Sequence, residues 1–570
     1  MPRKTTQDAI SFSMAAAAFA LSACLLILAF MPRLYGLTVW IALVPALLVA
    51  QRLPLRRLLR LSWVFGYLCC LALYYWVIIV TVPGWLLLPL YLGLYWPAFF
   101  VTNELLARRF GIARALGALA LWPILEYLRG SLLTGLPWYY LAHSLYRWPR
   151  LIQSADLGGA IFLSTIIVAV NVLLADALQN RRDAKRALLL VLTAVLVFVA
   201  NLAYGAWRIE SLDLKRGPVV ACVQPNIPQS LKLDPSPRDS VDLFMKLRSY
   251  TLDPRAADAA VVFWPETIMP GLLGVDDFTV ANGMTPAELI RELSLQNAVD
   301  ADTAARLNNR VDAGVDFLDA LTSICGPDIM SRFTTERLLS ATAALAAKPL
   351  VAGAIAADVD PAGFVIRTYN RACWLDRDGS EVAFYDKVHL VPFGEFIPFR
   401  DSAPGLSRML AAVMPVEPVT YPGDDFKLFD VAGVKFAPAI CFEDTFSYIA
   451  RDCRLRGADV LLNLTNDGWF GRSDELEAHL ANSLFRAVET RMAVVRCANT
   501  GISAVISPVG VVSARLTDDT GRDRAVKGLL VAPVDICASR TLYLSTADFW
   551  MLLLPTFLLV SIIARRRHSD

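Results

Sequence analysis

Three short segments each set a reactive side chain directly after an apolar strand. In Val261-Val262-Phe263-Trp264-Pro265-Glu266 the strand ends at a proline and presents a carboxylate. An acid beside aromatic residues at a strand end is desolvated, which raises its pKa toward the range of a general base. In Phe384-Tyr385-Asp386-Lys387 a lysine follows the strand and can supply fixed positive charge where an oxyanion develops. In Phe436-Ala437-Pro438-Ala439-Ile440-Cys441-Phe442 a cysteine ends the strand, where a sharp turn can point the next backbone N–H at an acyl oxygen. Taken singly, each residue has an ordinary reading: a solvated loop glutamate, a surface lysine paired to Asp386, a small buried thiol. His389, between Val388 and Leu390, reads as a structural hydrogen-bonding group rather than a base. What favours chemistry is their joint occurrence in the order Glu, Lys, Cys, which suits acyl transfer through a thioester.

Such a site needs a layered scaffold. The runs Val219 to Val223, Ala259 to Phe263, Leu350 to Ala354, Phe436 to Ile440 and Val460 to Leu464 read as buried strands, and Glu475 to Arg491 as a helix between strands. Together they predict an α/β domain over residues 208–544. The stretch from about Val275 to Ala347 is Ala/Asp/Arg-rich with little strand character, and reads as a helical insertion.

The rest of the chain is of another kind. At 570 residues and 56% hydrophobic content the protein is too apolar for a wholly soluble one. Seven runs, Ile10 to Phe30, Leu34 to Ala50, Leu61 to Val82, Trp85 to Leu106, Ala115 to Leu128, Leu157 to Leu178 and Ala187 to Tyr204, approach the roughly 20 residues of a bilayer crossing. An eighth, Phe549 to Ala564, lies at the far end, so an eight-helix membrane domain is expected from residues 1–207 and 545–570. Basic clusters fall in every second loop: Arg3 and Lys4, then Arg52 to Arg60, Arg108 to Arg114, Arg181 to Arg186 and Arg565 to Arg567. By the positive-inside rule both termini are cytoplasmic and the α/β domain is outside. Leu21-Ser22-Ala23-Cys24 has the form of a lipoprotein cleavage box, but the apolar run continues through Phe30, so it reads as a span. A net charge of +2 without a basic patch gives no sign of nucleic acid. Ten scattered cysteines, with no C-x-x-C and no Cys/His cluster, predict neither a disulfide framework nor a metal site.

Trp264-Pro265-Glu266, Lys387 and Cys441-Phe442-Glu443 resemble the Glu-Lys-Cys sites of the nitrilase superfamily, and the membrane flanks narrow the resemblance to the bacterial apolipoprotein N-acyltransferases. It extends to Trp122, Glu126, Arg129, Pro137-Trp138 and Asp156-Leu157-Gly158-Gly159 in the membrane part. In the outer domain it covers the segments from Gln224 to Lys232, His389 to Glu395, Asn463 to Gly471 and Arg496 to Ser503. It implies a four-layer αββα catalytic domain on the periplasmic side of the inner membrane. It also implies a phospholipid acyl donor, a diacylglyceryl-modified apolipoprotein acceptor, no cofactor, and a monomer. Glu266, Lys387 and Cys441 become the triad, with the Phe442 N–H completing the oxyanion hole. Glu395 and Glu443 form an acidic pair keeping Lys387 charged, while Trp469 and Phe470 line the lipid entrance or pack in the core. Two departures stand out: Leu233 occupies a substrate-contact position where the family has Trp, and the insertion lengthens the span between Glu266 and Lys387. A membrane-tethered hydrolase, in which water resolves the thioester, and a non-catalytic scaffold remain open on sequence alone.

Overall fold

The computed structural model describes residues 10–31, 34–233, 236–269, 271–274, 286–295, 299–325, 335–360, 364–398, 403–411 and 420–567. Among them run thirteen strands: β1 (Leu214–Gln224), β2 (Val261–Trp264), β3 (Leu272–Leu273), β4 (Leu350–Val359), β5 (Val365–Leu375), β6 (Glu381–Asp386), β7 (Phe429–Val431), β8 (Val434–Ile440), β9 (Val460–Thr465), β10 (Ala493–Ala498), β11 (Ala504–Ile506), β12 (Val512–Arg515) and β13 (Gly528–Cys537). One sheet has the order β13-β1-β2-β4-β5-β6, with β3 paired to β4, and the other the order β12-β11-β10-β9-β8-β7. The central strands β1, β2 and β4, and likewise β8, β9 and β10, run parallel. Parallel strands covered on both faces read as unbroken apolar runs, and the five runs singled out in the sequence fall on β1, β2, β4, β8 and β9.

The two sheets face each other across Val220, Cys222, Phe263 and Val351 on one side and Phe436, Ile440, Leu462 and Cys497 on the other. The outer face of the first sheet carries the helices Pro237–Thr251 and Thr335–Ala346 through Phe244, Leu247 and Leu339. The outer face of the second carries Ser447–Leu455 and Glu475–Thr490 through Ile449, Leu480 and Leu484. The layers therefore run helix, sheet, sheet, helix. Between β3 and β4 the described residues are helical, at Pro286–Leu295, Ala301–Asp312, Phe317–Cys325 and Thr335–Ala346.

The membrane part departs from the eight-helix expectation. Among the described residues four helices are long and apolar enough to cross a membrane by length and composition: Phe12–Phe30, Val82–Phe110, Ala155–Gln179 and Ala184–Glu210. The second predicted run is broken into a 3₁₀ stretch, Leu34–Trp40, and the short helix Val44–Ala50. The third begins in the helix Leu55–Leu73, whose first turns carry Arg56, Arg57 and Arg60, and stops short of Val77–Val80. The fifth, Arg114–Ser131, holds Glu126 and Arg129 as well as Pro123, which dilutes its apolar length. The last run is a short apolar helix, Phe549–Val560, within the helical stretch that ends at Arg567. Cys24 lies inside the first helix, with helical residues on both sides of it.

Buried polar contacts weld the halves together. The Arg491 guanidinium donates to Asp156 Oδ2 at 2.7 Å and to Gln153 Oε1 at 2.7 Å, while Arg208 donates to the same Asp156 oxygen at 2.7 Å. Glu489 Oε1 accepts the Ala160 N–H at 2.8 Å. Asp156 opens the Ala155–Gln179 helix, which is kinked at Gly158-Gly159. Gly159 has φ +75°, and a Cβ at Gly158 would sit 2.6 Å from Trp550 Nε1, whose N–H donates to the Gly158 carbonyl, so the paired glycines let the C-terminal segment dock.

Candidate active site

Glu266 follows β2 in a turn whose next residue, Thr267, has φ +43°, and Cys441 itself has φ +54° at the end of β8. Non-glycine residues hold positive φ only where surrounding contacts enforce it, and such strain gathers at functional sites. For Glu266 the enforcement is close packing on β4. A Cβ at Gly353 would lie 2.3 Å from the Pro265 carbonyl oxygen and 2.7 Å from Glu266 Cα, so β4 can pass the turn only with glycine there.

The Glu266 carboxylate is 7% exposed and spoken for on both oxygens. Oε1 accepts from Asn370 Nδ2 at 2.8 Å and Oε2 from the Asn466 backbone N–H at 2.9 Å. Lys387, 1% exposed after β6, donates to Glu395 Oε1 at 2.9 Å and lies 3.7 Å from Glu266 Oε1. Glu395 also accepts from Asn370 Nδ2 at 3.1 Å and from the Val391 N–H at 2.7 Å. Burial alone would lower the Lys387 pKa, but Glu395 and Glu266 outweigh it and hold the ammonium above the usual lysine range. At neutral pH the lysine is thus a fixed cation.

Cys441 starts a 3₁₀ turn, Cys441–Thr445, in which Phe442 comes second. The first N–H groups of a helical turn have no partner inside it, so the Phe442 amide is available to an incoming oxygen. The Cys441 carbonyl accepts from Asn463 Nδ2 at 2.9 Å, and the Thr465 side chain lies beside the sulfur. Burial first, and then the Glu266 charge, push the thiol well above its ordinary pKa, with Lys387 pulling the other way. At rest it is a thiol and needs a base.

Glu443 adds a smaller pull that helps hold Lys387 charged, as expected from sequence, but its direct contacts lie elsewhere. Its Oε1 accepts from Tyr385 OH at 2.8 Å, the Val388 N–H at 2.8 Å and the His389 N–H at 2.9 Å, and its Oε2 accepts from the Ile440 N–H at 2.6 Å. A fully buried carboxylate with four donors ties the lysine loop to the cysteine turn. His389 is structural: its Nδ1 lies 2.8 Å from Tyr448 OH, its ring packs 3.8 Å from that of Phe446, and burial, then Lys387, lower its pKa to about 4. Phe470 meets Trp76 of the membrane part edge-on at 4.9 Å, while Trp469 is exposed. Leu233 ends the short helix Gln229–Leu233, and its side chain lies outside the described residues.

Three contributors escaped the sequence reading. Asn370, in mid-β5, bridges Glu266 and Glu395. Asn463, on β9, holds the cysteine carbonyl. Lys232 donates to the Glu266 carbonyl at 3.2 Å and to Thr267 Oγ1 at 2.9 Å, and burial lowers its pKa to about 8. Asn370 sits in an alternating strand and carries no outward sign. Lys232 lies in the Gln-Ser-Leu-Lys segment already singled out, which was the available signal.

Residues 22–173 match the apolipoprotein N-acyltransferase N-terminal domain, and residues 219–538 match the carbon-nitrogen hydrolase family. Similar proteins include the apolipoprotein N-acyltransferase of Geobacter metallireducens, 29% identical over 505 residues that cover 86% of this chain and 84% of that one. That of Rhizobium meliloti is 32% identical over 453 residues, covering 76% and 70%. Among solved structures, an amidase from Nesterenkonia sp. aligns with 59% of this chain and 95% of its own at 18% identity and a TM-score of 0.34.

Proposed function

The chain belongs to the apolipoprotein N-acyltransferase family, membrane-bound members of the carbon-nitrogen hydrolases, and on that premise we propose that it N-acylates lipoproteins through a thioester on Cys441. The observation that carries the residue assignment is the convergence of Glu266 and Lys387, 3.7 Å apart, on the strained Cys441 turn.

In the first half-reaction Glu266 takes the thiol proton as the sulfur attacks an ester carbonyl of a phospholipid. Lys387 and the Phe442 N–H stabilise the tetrahedral oxyanion. Glu266 returns the proton to the departing glycerol oxygen, leaving a thioester and a lysophospholipid. In the second, the neutral α-amino group of a diacylglyceryl-cysteine attacks the thioester carbonyl and loses a proton to Glu266. The C–S bond then breaks, the sulfur regains that proton, and the N-acylated lipoprotein departs. Asn370 and the Asn466 amide aim the carboxylate in both steps, while Glu395 anchors the lysine. The exposed Trp469, Phe393, Leu133 and Ile79 suit a lipid substrate better than a soluble one. Both termini lie in the cytoplasm and the α/β domain in the periplasm, with Trp469 and Phe470 at the lipid entrance.

The test is complementation of a Gram-negative host depleted of its own enzyme, with mass spectrometry of the lipoprotein N-terminus. Wild type restores the N-acyl group and Cys441→Ala does not. Absence of the N-acyl group with wild type overturns the transferase reading, and its presence with Cys441→Ala overturns the choice of nucleophile.

A further inference from the structure

Behind the cysteine turn lies a buried cluster of charges that the reaction above leaves unused. His479, on the Glu475–Thr490 helix, sets Nε2 at 2.8 Å from Asp444 Oδ1 and Nδ1 at 3.0 Å from Asp467 Oδ1. Arg496, on β10, donates from Nη1 to Asp444 Oδ2 at 2.7 Å and to Ser483 Oγ at 2.7 Å, and its Nη2 lies 3.3 Å from Asp467 Oδ2. The Ser483 hydroxyl also donates to Asp444 Oδ2. Asp444, Asp467 and Arg496 are fully buried and His479 nearly so.

An ionised carboxylate only accepts, and a neutral imidazole can donate from one nitrogen alone. With a carboxylate on each nitrogen, His479 is the imidazolium, and with Arg496 it balances the two aspartates. Its pKa agrees, since Asp444 and Asp467 raise it to about 10 against the opposing effects of burial and Arg496. Glu475, the remaining acid facing the ring at 3.8 Å from Nδ1, has its carboxyl pushed well above the usual carboxylate range, first by burial and then by Asp467.

The cluster's two acids sit where the chemistry does. Asp444 belongs to the Cys441–Thr445 turn that carries the nucleophile and the Phe442 amide. Asp467 directly follows Asn466, whose N–H holds Glu266 Oε2, and its Oδ1 accepts at 2.8 Å from the Thr465 hydroxyl, the group in contact with the Cys441 sulfur. From the membrane side, Trp138 stacks on the His479 ring at 5.7 Å and 29°.

We infer that His479 is a positioning residue for the reaction: by bridging Asp444 and Asp467 it locks the nucleophile turn and the base-holding Asn466 amide into one register. The inference rests on the reading of Cys441 as nucleophile. Uncoupling the two loops displaces thiol and base relative to each other, whereas the outer rim, where substrates bind, is untouched.

The test uses the full chain in detergent, with His479→Gln and Ser483→Ala beside wild type. It reads alkylation of Cys441 by iodoacetamide through its peptide mass, the rate of lysophospholipid release, KM for a diacylglyceryl peptide, and the melting temperature. Because displacements of about 1 Å cost roughly 10²-fold, His479→Gln slows alkylation and lysophospholipid release together by about that factor, with KM within about twofold. Ser483→Ala, which keeps both bridges, is the control and leaves both rates within about twofold of wild type, and a loss there as large as in His479→Gln would overturn the bridge as the cause. Wild-type rates in a folded His479→Gln overturn the inference. If His479→Gln does not fold, Asp467→Asn, which removes the charge from the bridge to His479 Nδ1, decides, and a wild-type alkylation rate there overturns the inference too. A Cys441→Ala protein that still transfers acyl groups instead condemns the nucleophile, whatever the variants do.

Discussion

Two clusters of charge flank the Cys441 turn, and they are built to opposite specifications. In front, Glu266 and Lys387 keep their contact long, at 3.7 Å, and Glu395 stays partly exposed, so Lys387 retains donors for an oxyanion. Behind, Asp444, Asp467, His479 and Arg496 close on one another with no exposed atom of consequence. Full satisfaction of buried charges fixes geometry, while the incomplete pairing in front leaves valence for substrate. On the proposed mechanism, the same chain thus separates the charge that reacts from the charge that holds.

The sharpest break of that comparison comes from the front. Glu266→Gln, which keeps the shape but cannot take a proton, is expected to lower acyl-enzyme formation by roughly 10²–10⁴-fold, and Lys387→Met by roughly 10²–10³-fold. Lysophospholipid release measures both, and a loss below tenfold in either would remove that residue from the chemistry. Next comes Asn370→Ala, which strips one donor shared by Glu266 and Glu395 and is expected to slow the same step about 10-fold, as the loss of a hydrogen bond to a charged group does. An unchanged rate would make Asn370 a packing residue.

The smallest effect separates two histidines by the sign of their pH dependence. His389 has its pKa lowered to about 4 from 6.5, so the unfolded chain binds a proton that the folded one refuses. Its contribution to stability is therefore present above pH 6.5 and fades as pH falls from 6.5 toward 4. His479 is raised to about 10, so its contribution is complete below pH 6.5 and fades as pH rises toward 10. Melting curves against pH for His389→Phe should lose the acid-side slope relative to wild type, and those for His479→Gln the alkaline-side slope. Matching curves for the two variants would erase the distinction between the clusters.

The front cluster was legible in the sequence because its members stand at strand ends, where apolar runs stop abruptly at Glu266, Lys387 and Cys441. The strands were legible for the same reason, being continuous apolar runs. What was hidden depends on pairing across distance. Glu443 was legible as a charge acting on Lys387, but not as the acceptor of four donors from β6, its loop and β8 that makes it a tether. Arg496 stood in a segment that carries the resemblance, but its pairing with Asp444 and His479 gave no signal, because each is an ordinary polar residue until folding brings three separate elements together. Among the described residues four of the eight expected spans appear as helices long and apolar enough to cross, and the second and third are divided into shorter helices, because an apolar run read from composition does not reveal where the backbone breaks.

The Asn466 amide that holds Glu266 comes from a residue 200 positions further along the chain. Contacts of such separation form late, because the intervening loop must be closed first. The carboxylate and the thiol stand at the ends of strands in different sheets. On the proposed roles, the base and the nucleophile meet only where the two sheets face each other, so the site is a property of the docked pair rather than of either sheet.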